Sequence, residues 1–277
     1  MVYIILPVFK RVSLTVSFVE SVRNSTDLNV HFIIVDDESP GYSNYITFLN
    51  SHDVTVLKTK GDVWWCETVY IGIKYLFDNI QAHELANDFI VLANNDVEVN
   101  NGTFKIFDIL DDNCILHPLT KLKRNGDIIS SGCKVKSWLP FITDHSIDKK
   151  SKLTSVDMLT ARFLCMKGSV LLKNGNVSTC LLQYHGDSEF TLRATKKGIK
   201  NCIVNDIEVH LDDNDNSAIN QKSIFGYFKS SLNEKKSNSI KQKYLFLRCN
   251  FGPFKSQLIV LSMFFNGFVK TFLRKIF

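Results

Sequence analysis

Phe89-Ile90-Val91-Leu92-Ala93-Asn94-Asn95-Asp96 is the stretch on which the fold turns. Five consecutive apolar residues are too few for an ordinary helix and read as a strand covered on both faces, broken by turn-forming polar residues. Val30–Val35 has the same form and runs into Asp36-Asp37-Glu38. Tyr3–Leu6, closed by Pro7, and Val54–Leu57 are two further strands. Between them the apolar period becomes helical, with Leu14, Phe18, Val19 and Val22 on one face of Arg11–Arg23, and a second helix over Glu67–Phe77. Strands that alternate with helices predict an α/β chain with a mostly parallel, Rossmann-like central sheet and helices on both faces.

Beyond about residue 113 the pattern shifts towards α+β. Ile128–Lys136 and Asp157–Met166 read as strands around hairpins or loops, and Asp187–Lys197 as a helix closed by Gly198. Cys202–Val204 and Ile207–His210 are two short extended pieces, and Asp212–Asn216 is a polar loop.

The 277 residues are 45% hydrophobic and 22% charged, which excludes a disordered, collagenous or coiled-coil chain. Seven cysteines, an odd number with no C-x-x-C spacing, argue against a disulfide framework or zinc knuckle and predict reduced thiols. Lys10 and Arg11 follow the first apolar run, whereas a signal peptide carries its charge before a longer one; the expectation is a cytoplasmic protein.

The net charge of +5 conceals an asymmetry. Residues 221–277 hold 11 Lys and Arg against Glu234 alone, and residues 1–220 hold 22 Lys and Arg against 27 Asp and Glu. Leu258–Val269 is a run of twelve uncharged, mostly apolar residues, well short of the roughly 20 that span a bilayer. Residues 216–277 are therefore expected to form a basic helical extension lying on an anionic membrane, apolar side in the headgroup boundary, in preference to binding nucleic acid. Packing of this run on the rest of the chain, or on a second copy in a homodimer, stays open.

In open parallel sheets ligands bind beyond the carboxyl ends of the strands. Asp36-Asp37-Glu38 and Asn94-Asn95-Asp96 both stand there. Such groups can accept hydrogen bonds from a base or ribose, or hold a hard divalent cation on phosphate oxygens. They can equally form turns and cap helices. In His185-Gly186-Asp187-Ser188-Glu189, the acids either complement a helix dipole or supply a general base. Glu189 and Arg193 are spaced to pair along that helix. If Trp64 and Trp65 lie on a strand, one faces the core and the other a pocket, though both could be core.

Taken in order, these segments resemble the family 2 glycosyltransferases of the GT-A fold. The resemblance rests on Ile4-Ile5-Leu6-Pro7-Val8-Phe9-Lys10, Val35-Asp36-Asp37-Glu38-Ser39, Gly61-Asp62-Val63-Trp64-Trp65, Leu92-Ala93-Asn94-Asn95-Asp96-Val97 and Gly186-Asp187-Ser188-Glu189-Phe190-Thr191-Leu192-Arg193. It covers about residues 1–215, which it marks as the catalytic domain, and Gly61-Asp62-Val63-Trp64-Trp65 resembles an element of the bacterial members that build surface polysaccharides.

The resemblance implies an inverting hexosyltransferase that uses a nucleotide-sugar donor and a lipid-linked or oligosaccharide acceptor, peripheral on the inner face of the cell membrane. It implies that Pro7, Phe9, Asp36, Asp37, Trp65, Asn94 and Asn95 bind the donor. Asp96 and His210 would hold Mg²⁺ or Mn²⁺, and Asp187 would deprotonate the acceptor. Arg162, Glu189 and Arg193 fall in the acceptor region. Four positions depart from the family pattern. Asn94 replaces the first acid of D-x-D, Gly186 a common Glu, Tyr70 a common Asn, and Arg162 a small residue. They leave a non-catalytic nucleotide-sugar-binding or scaffold protein as the alternative. A nucleotidyltransferase fits poorly, because Pro7–Ser13 has no glycine to form a triphosphate-cradling loop.

Overall fold

The computed structural model describes residues 1–39, 52–211 and 224–276. The loop that the sequence places at Ser39-Pro40-Gly41 extends outside them, and so does the polar loop at Asp212–Asn216. The first half alternates strands and helices as expected: β1 (Val2–Val8), α1 (Val12–Ser25), β2 (Val30–Asp36), β3 (Val54–Lys58), α2 (Trp64–Asn79), a one-turn α3 (Ala82–Leu85) and β4 (Phe89–Ala93). A two-residue β5 (Val97–Glu98) and a 3₁₀ helix (Thr103–Ile109) follow. Then come β6 (Cys114–Leu122), β7 (Ile128–Ile129), β8 (Gly132–Trp138), β9 (Phe141–Asp144), β10 (Leu153–Val156), β11 (Met158–Leu159), β12 (Phe163–Lys167), α4 (Gly168–Asn174), α5 (Gly186–Lys196) and β13 (Lys200–Leu211).

The main sheet has the order β10-β13-β6-β12-β4-β1-β2-β3. β3, β2, β1 and β4 are mutually parallel, β12 runs antiparallel between β4 and β6, and β6 is parallel to β13. All but β12 and β10 therefore point the same way and end on the same edge. β13 joins the two extended pieces read from the sequence into one strand, with a register shift between Val204 and Glu208 where they met.

Alternating side chains feed two cores, as a strand's period of two requires. Ile4, Leu6, Phe32, Ile34, Val91 and Ala93 pack under Phe18, Val19 and Val22 of α1 and Phe104 and Phe107 of the 3₁₀ helix. Ile5, Ile33, Val35, Ile90 and Leu92 pack under Val69, Ile73 and Leu76 of α2 and Phe190 of α5. Burial on both faces is why these strands are continuous apolar runs.

Three helices close the described chain: α6 (Ile224–Ser231), α7 (Ile240–Arg248) and α8 (Pro253–Ile276). Ser239 caps α7, its hydroxyl accepting from the Gln242 N–H at 3.3 Å. Phe246 and Leu247 of α7 and Ile259 and Val260 of α8 form a third core with Cys66, Leu181 and Leu192. One side of α8 is thus packed against the sheet domain. The other carries Phe254, Leu258, Leu261, Phe265, Val269 and Phe272, all exposed at helical spacing. No helix among the described residues is long and apolar enough to cross a membrane.

Candidate active site

Because β1, β2 and β4 are parallel neighbours, their carboxyl ends bring Pro7–Arg11, Asp36–Ser39 and Asn94–Asp96 to one sheet edge. The turns there are tight. Lys10, Glu38, Asp62, Trp64 and His185 all have positive φ, between 52° and 70°, and are the non-glycine residues that do so in the described chain. Such strained backbone concentrates at functional sites. At this edge lies a cleft of about 310 Å³.

Of the donor residues expected from the sequence, Pro7, Phe9, Asp37, Trp65, Asn94 and Asn95 line the cleft, and so does Asp96. Asp36 does not: it is fully buried beneath them, its Oδ1 accepting from the Ser39 N–H at 2.7 Å. Asp37 organises the opposite wall. Its carboxylate accepts from the Thr59 hydroxyl at 2.7 Å and from the N–H groups of Val63 and Trp64 at 3.1 and 3.2 Å, at the N-terminus of α2. α2 begins at Trp64, three residues earlier than its periodicity suggested, so Trp64 and Trp65 belong to a helical first turn and not to a strand. Both line the cleft. The Trp65 indole N–H donates to Asn94 Oδ1 at 3.3 Å, and Asn95 donates to Thr15 Oγ1 at 2.9 Å, which holds the start of α1.

Asp96 sits half-buried at the cleft. Oδ2 faces Arg11 Nη1 at 3.2 Å; Oδ1 is buried with no hydrogen-bond partner. A hard cation prefers oxygen donors and can take a single protein carboxylate with substrate phosphates and water completing its shell. The unsatisfied Oδ1 fits that arrangement. Among the described residues no three His, Cys, Asp or Glu side chains cluster as a fully protein-built metal site. His210 stands opposite Glu98 in the β13–β5 pairing and its ring lies 3.9 Å from the Glu208 carboxylate.

Asp187, in the first turn of α5, is placed by a glycine. A Cβ on Gly186 would lie 2.4 Å from Cys66 Sγ and 3.0 Å from Trp65 Cζ3, so only glycine lets α5 abut the first turn of α2. This accounts for the absence of a glutamate there. Burial raises the Asp187 pKa above the ordinary carboxylate range, opposed by the N–H groups of Ser188 and Ala161 and by the Arg162 guanidinium. Arg162 is itself partly desolvated and feels both Asp187 and Asp96. Its carbonyl accepts from the Asn94 N–H at 3.0 Å and its Nη1 donates to the Ser130 carbonyl at 2.9 Å. Arg162 thus links the cleft's β4 edge with Asp187. Glu189 and Arg193 pair with each other at 2.9 Å, and Arg193 also donates to the carbonyls of Asn174 and Asn176. Neither lines the cleft.

Sequence reasoning did not single out Val8, Arg11, Asp62, Thr68 and Gln183 as cleft residues, and of Trp64 and Trp65 it expected at most one in a pocket. Arg11 had a signal, standing in the β1–α1 turn; Gln183 had none, because a long non-local connection delivers it. Lys235 also reaches the rim, its Nζ 3.3 Å from Asp62 Oδ1 and 4.4 Å from the Trp64 ring centroid.

No protein-family profile matches the chain, and no curated protein matches its sequence. Solved structures do. GalNAc-T7, determined with UDP, GalNAc and Mn²⁺, superposes with a TM-score of 0.60 at 14% identity, over 92% of this chain and 55% of that one. The chain has the GT-A fold. The mannosyltransferase PcManGT of Pyrobaculum calidifontis, in complex with GDP-Man and Mn²⁺, gives 0.57 at 11% identity over 94% of this chain and 73% of the other. Residues 1–349 of S. aureus TarS give 0.56 at 13% identity over 97% and 72%. This chain spans little more than half the length of GalNAc-T7.

Proposed function

We propose that this GT-A chain is an inverting glycosyltransferase that moves a hexose from a nucleotide-sugar donor to a saccharide acceptor. The observation that carries the reading is the convergence of Arg11, Trp65, Asn94 and Asp96 on one cleft, with a carboxylate of raised pKa, Asp187, at the adjoining helix start. GalNAc-T7 and PcManGT, which share the fold, were solved with a nucleotide or nucleotide sugar and Mn²⁺.

In this reading the nucleotide lies along Pro7, Phe9 and Asp37, and the indole of Trp65 offers a flat apolar wall. The diphosphate faces Arg11 and Asp96. Asp96, whose Oδ1 has no partner, would hold Mg²⁺ or Mn²⁺, with His210 as the second donor that the resemblance implies; a bound cation would supply positive charge to neutralise the diphosphate. Arg11 adds a fixed positive charge at the same place. Asp187 takes the proton of the acceptor hydroxyl as its oxygen attacks the sugar carbon and the bond to diphosphate breaks. One base and no protein nucleophile suffice for an inverting displacement. Arg162, held beside Asp187, favours acceptors that carry an anionic group.

The reading also places the reaction at an anionic membrane surface on the cytoplasmic side, with a lipid-linked saccharide of a cell-surface polysaccharide as acceptor. It is supported by the exposed apolar stripe of α8, by Phe225 of α6 and Leu232 just after it, each about 80% exposed, and by the +10 charge of residues 221–277. The resemblance to polysaccharide-building enzymes points to the same acceptor.

The test is to incubate purified protein with Mn²⁺ and a panel of sugar nucleotides and measure nucleoside diphosphate release. Turnover with one donor, lost in Asp187→Asn, is expected. Metal-independent nucleotide binding without turnover across the panel would sink the proposal in favour of a non-catalytic binding protein.

A further inference from the structure

Five of the seven cysteines are buried, and two are exposed: Cys180, in the segment between α4 and α5, and Cys249, at the C-terminal end of α7. They are 69 positions apart in sequence, yet their sulfurs lie 3.2 Å from each other. The Ser178 hydroxyl touches Cys180 Sγ at 3.0 Å. A disulfide bond is about 2.05 Å long, so the two thiols, both exposed, need to approach by only about 1 Å.

We infer that Cys180 and Cys249 are a site of reversible disulfide formation, oxidised by a small-molecule disulfide such as glutathione disulfide. The inference stands independently of the proposed sugar transfer. The chemistry is two exchanges. The thiolate of one of the two cysteines attacks one sulfur of the oxidant, forming a mixed disulfide and expelling one glutathione thiolate. The other cysteine's sulfur then attacks the protein sulfur of that mixed disulfide, forming the internal bond and expelling the second glutathione. The two protein thiol protons end on the two glutathione thiols, and the oxidant's disulfide is reduced as the protein's is made. Partial burial and the neighbouring Cys180 push the Cys249 pKa up, so alkaline pH, which raises the thiolate fraction, favours the exchange.

The bond would join two parts of the molecule that already touch. Gln242 Oε1 accepts from the Leu182 N–H at 3.0 Å, and Phe246 stacks on His185 with centroids 5.5 Å apart. The Leu182 carbonyl in turn accepts from the Cys66 N–H at 2.9 Å, and the next residue, Gln183, lines the cleft. Oxidation would therefore tie the C-terminal helices covalently to the segment that leads into Asp187, and reduction would leave that contact to noncovalent packing.

The experiment treats the full chain with glutathione disulfide at pH 8 and maps its peptides without reduction. The expected result is loss of two of the seven free thiols, one peptide joining Cys180 to Cys249, and a mass about 2 Da lower, since two hydrogens leave. Oxidised wild type should melt at a higher temperature than reduced, and Cys180→Ser and Cys249→Ser, both at exposed positions, should show no such rise. Glutathione adducts persisting on both cysteines, a link between two chains, or both thiols remaining free would each overturn the inference.

Discussion

Arg11 and Asp96, 85 residues apart in sequence, meet at 3.2 Å across the mouth of the cleft, and the meeting uses only one carboxylate oxygen. The other, Oδ1, is buried without a partner. A buried carboxylate oxygen left unsatisfied is costly unless something positive comes to it. Asp96→Ala should therefore weaken Mn²⁺-dependent nucleotide binding at least tenfold, about 1.4 kcal/mol. Titration calorimetry with nucleoside diphosphate, with and without Mn²⁺, measures this, and an unchanged Mn²⁺ dependence would count against Asp96 as the ligand.

Asp187→Asn should lower turnover by roughly 10²–10⁴-fold, the usual contribution of a positioned base. Nucleotide binding should be unaffected, because Asp187 does not line the cleft. Loss of binding and turnover together would point instead to a structural role at the α5 N-terminus.

Gly186→Ala tests the close approach of α5 to α2. The added methyl would fall 2.4 Å from Cys66 Sγ, a sulfur that cannot move far in a fully buried position. A loss of about 1–3 kcal/mol is expected from overpacking. Urea denaturation reads it; an unchanged midpoint would show that the two helices can separate without cost.

Acid should destabilise the fold through His117. Its ring is fully buried, with Nδ1 2.5 Å from the Pro118 carbonyl and Nε2 3.3 Å from the Phe163 N–H, and burial pushes its pKa down to about 3. The unfolded chain binds a proton below about pH 6.5, whereas the folded chain excludes it until about pH 3. The contribution is thus complete above pH 6.5 and lost as pH falls through that window, about 2 kcal/mol by pH 5. His185, lowered to about 4 by burial and Lys243, acts in the same direction. Stability that stays flat from pH 7 to pH 5 would contradict the buried neutral rings.

The membrane reading predicts that Leu261→Asp with Phe265→Asp abolishes binding to vesicles containing anionic lipid. Both side chains are exposed, at 56% and 65%, so the thermal midpoint should hardly change. Vesicle co-sedimentation of the double variant at the wild-type level would mean that the stripe faces something other than lipid.

The sheet was legible from the sequence because both of its faces are covered. Burial on two sides demands unbroken apolar runs, and Val30–Val35 and Phe89–Ala93 lie within the observed β2 and β4. The acidic strand ends were legible for a related reason: parallel neighbours must deliver their carboxyl ends to one edge. Trp64 and Trp65 were harder. Asp37, 27 residues upstream of Trp64, supplies the acceptor that starts α2 at Trp64, and no local window contains both partners.

What the sequence determined by itself was the alternation of strand and helix, the edge at which polar residues gather, and the separation of an acidic body from a basic end. All three are written in local composition and period. Only the tertiary structure decided that Asp36 lies beneath the cleft while Asp37 lines it, since a strand's alternation says that they differ but not which one faces in. It alone decided that α8 packs one face and bares the other, because both faces are apolar and a periodicity cannot say which finds a partner. And it alone brought Cys180 to Cys249, since a contact between residues 69 positions apart leaves no trace in spacing.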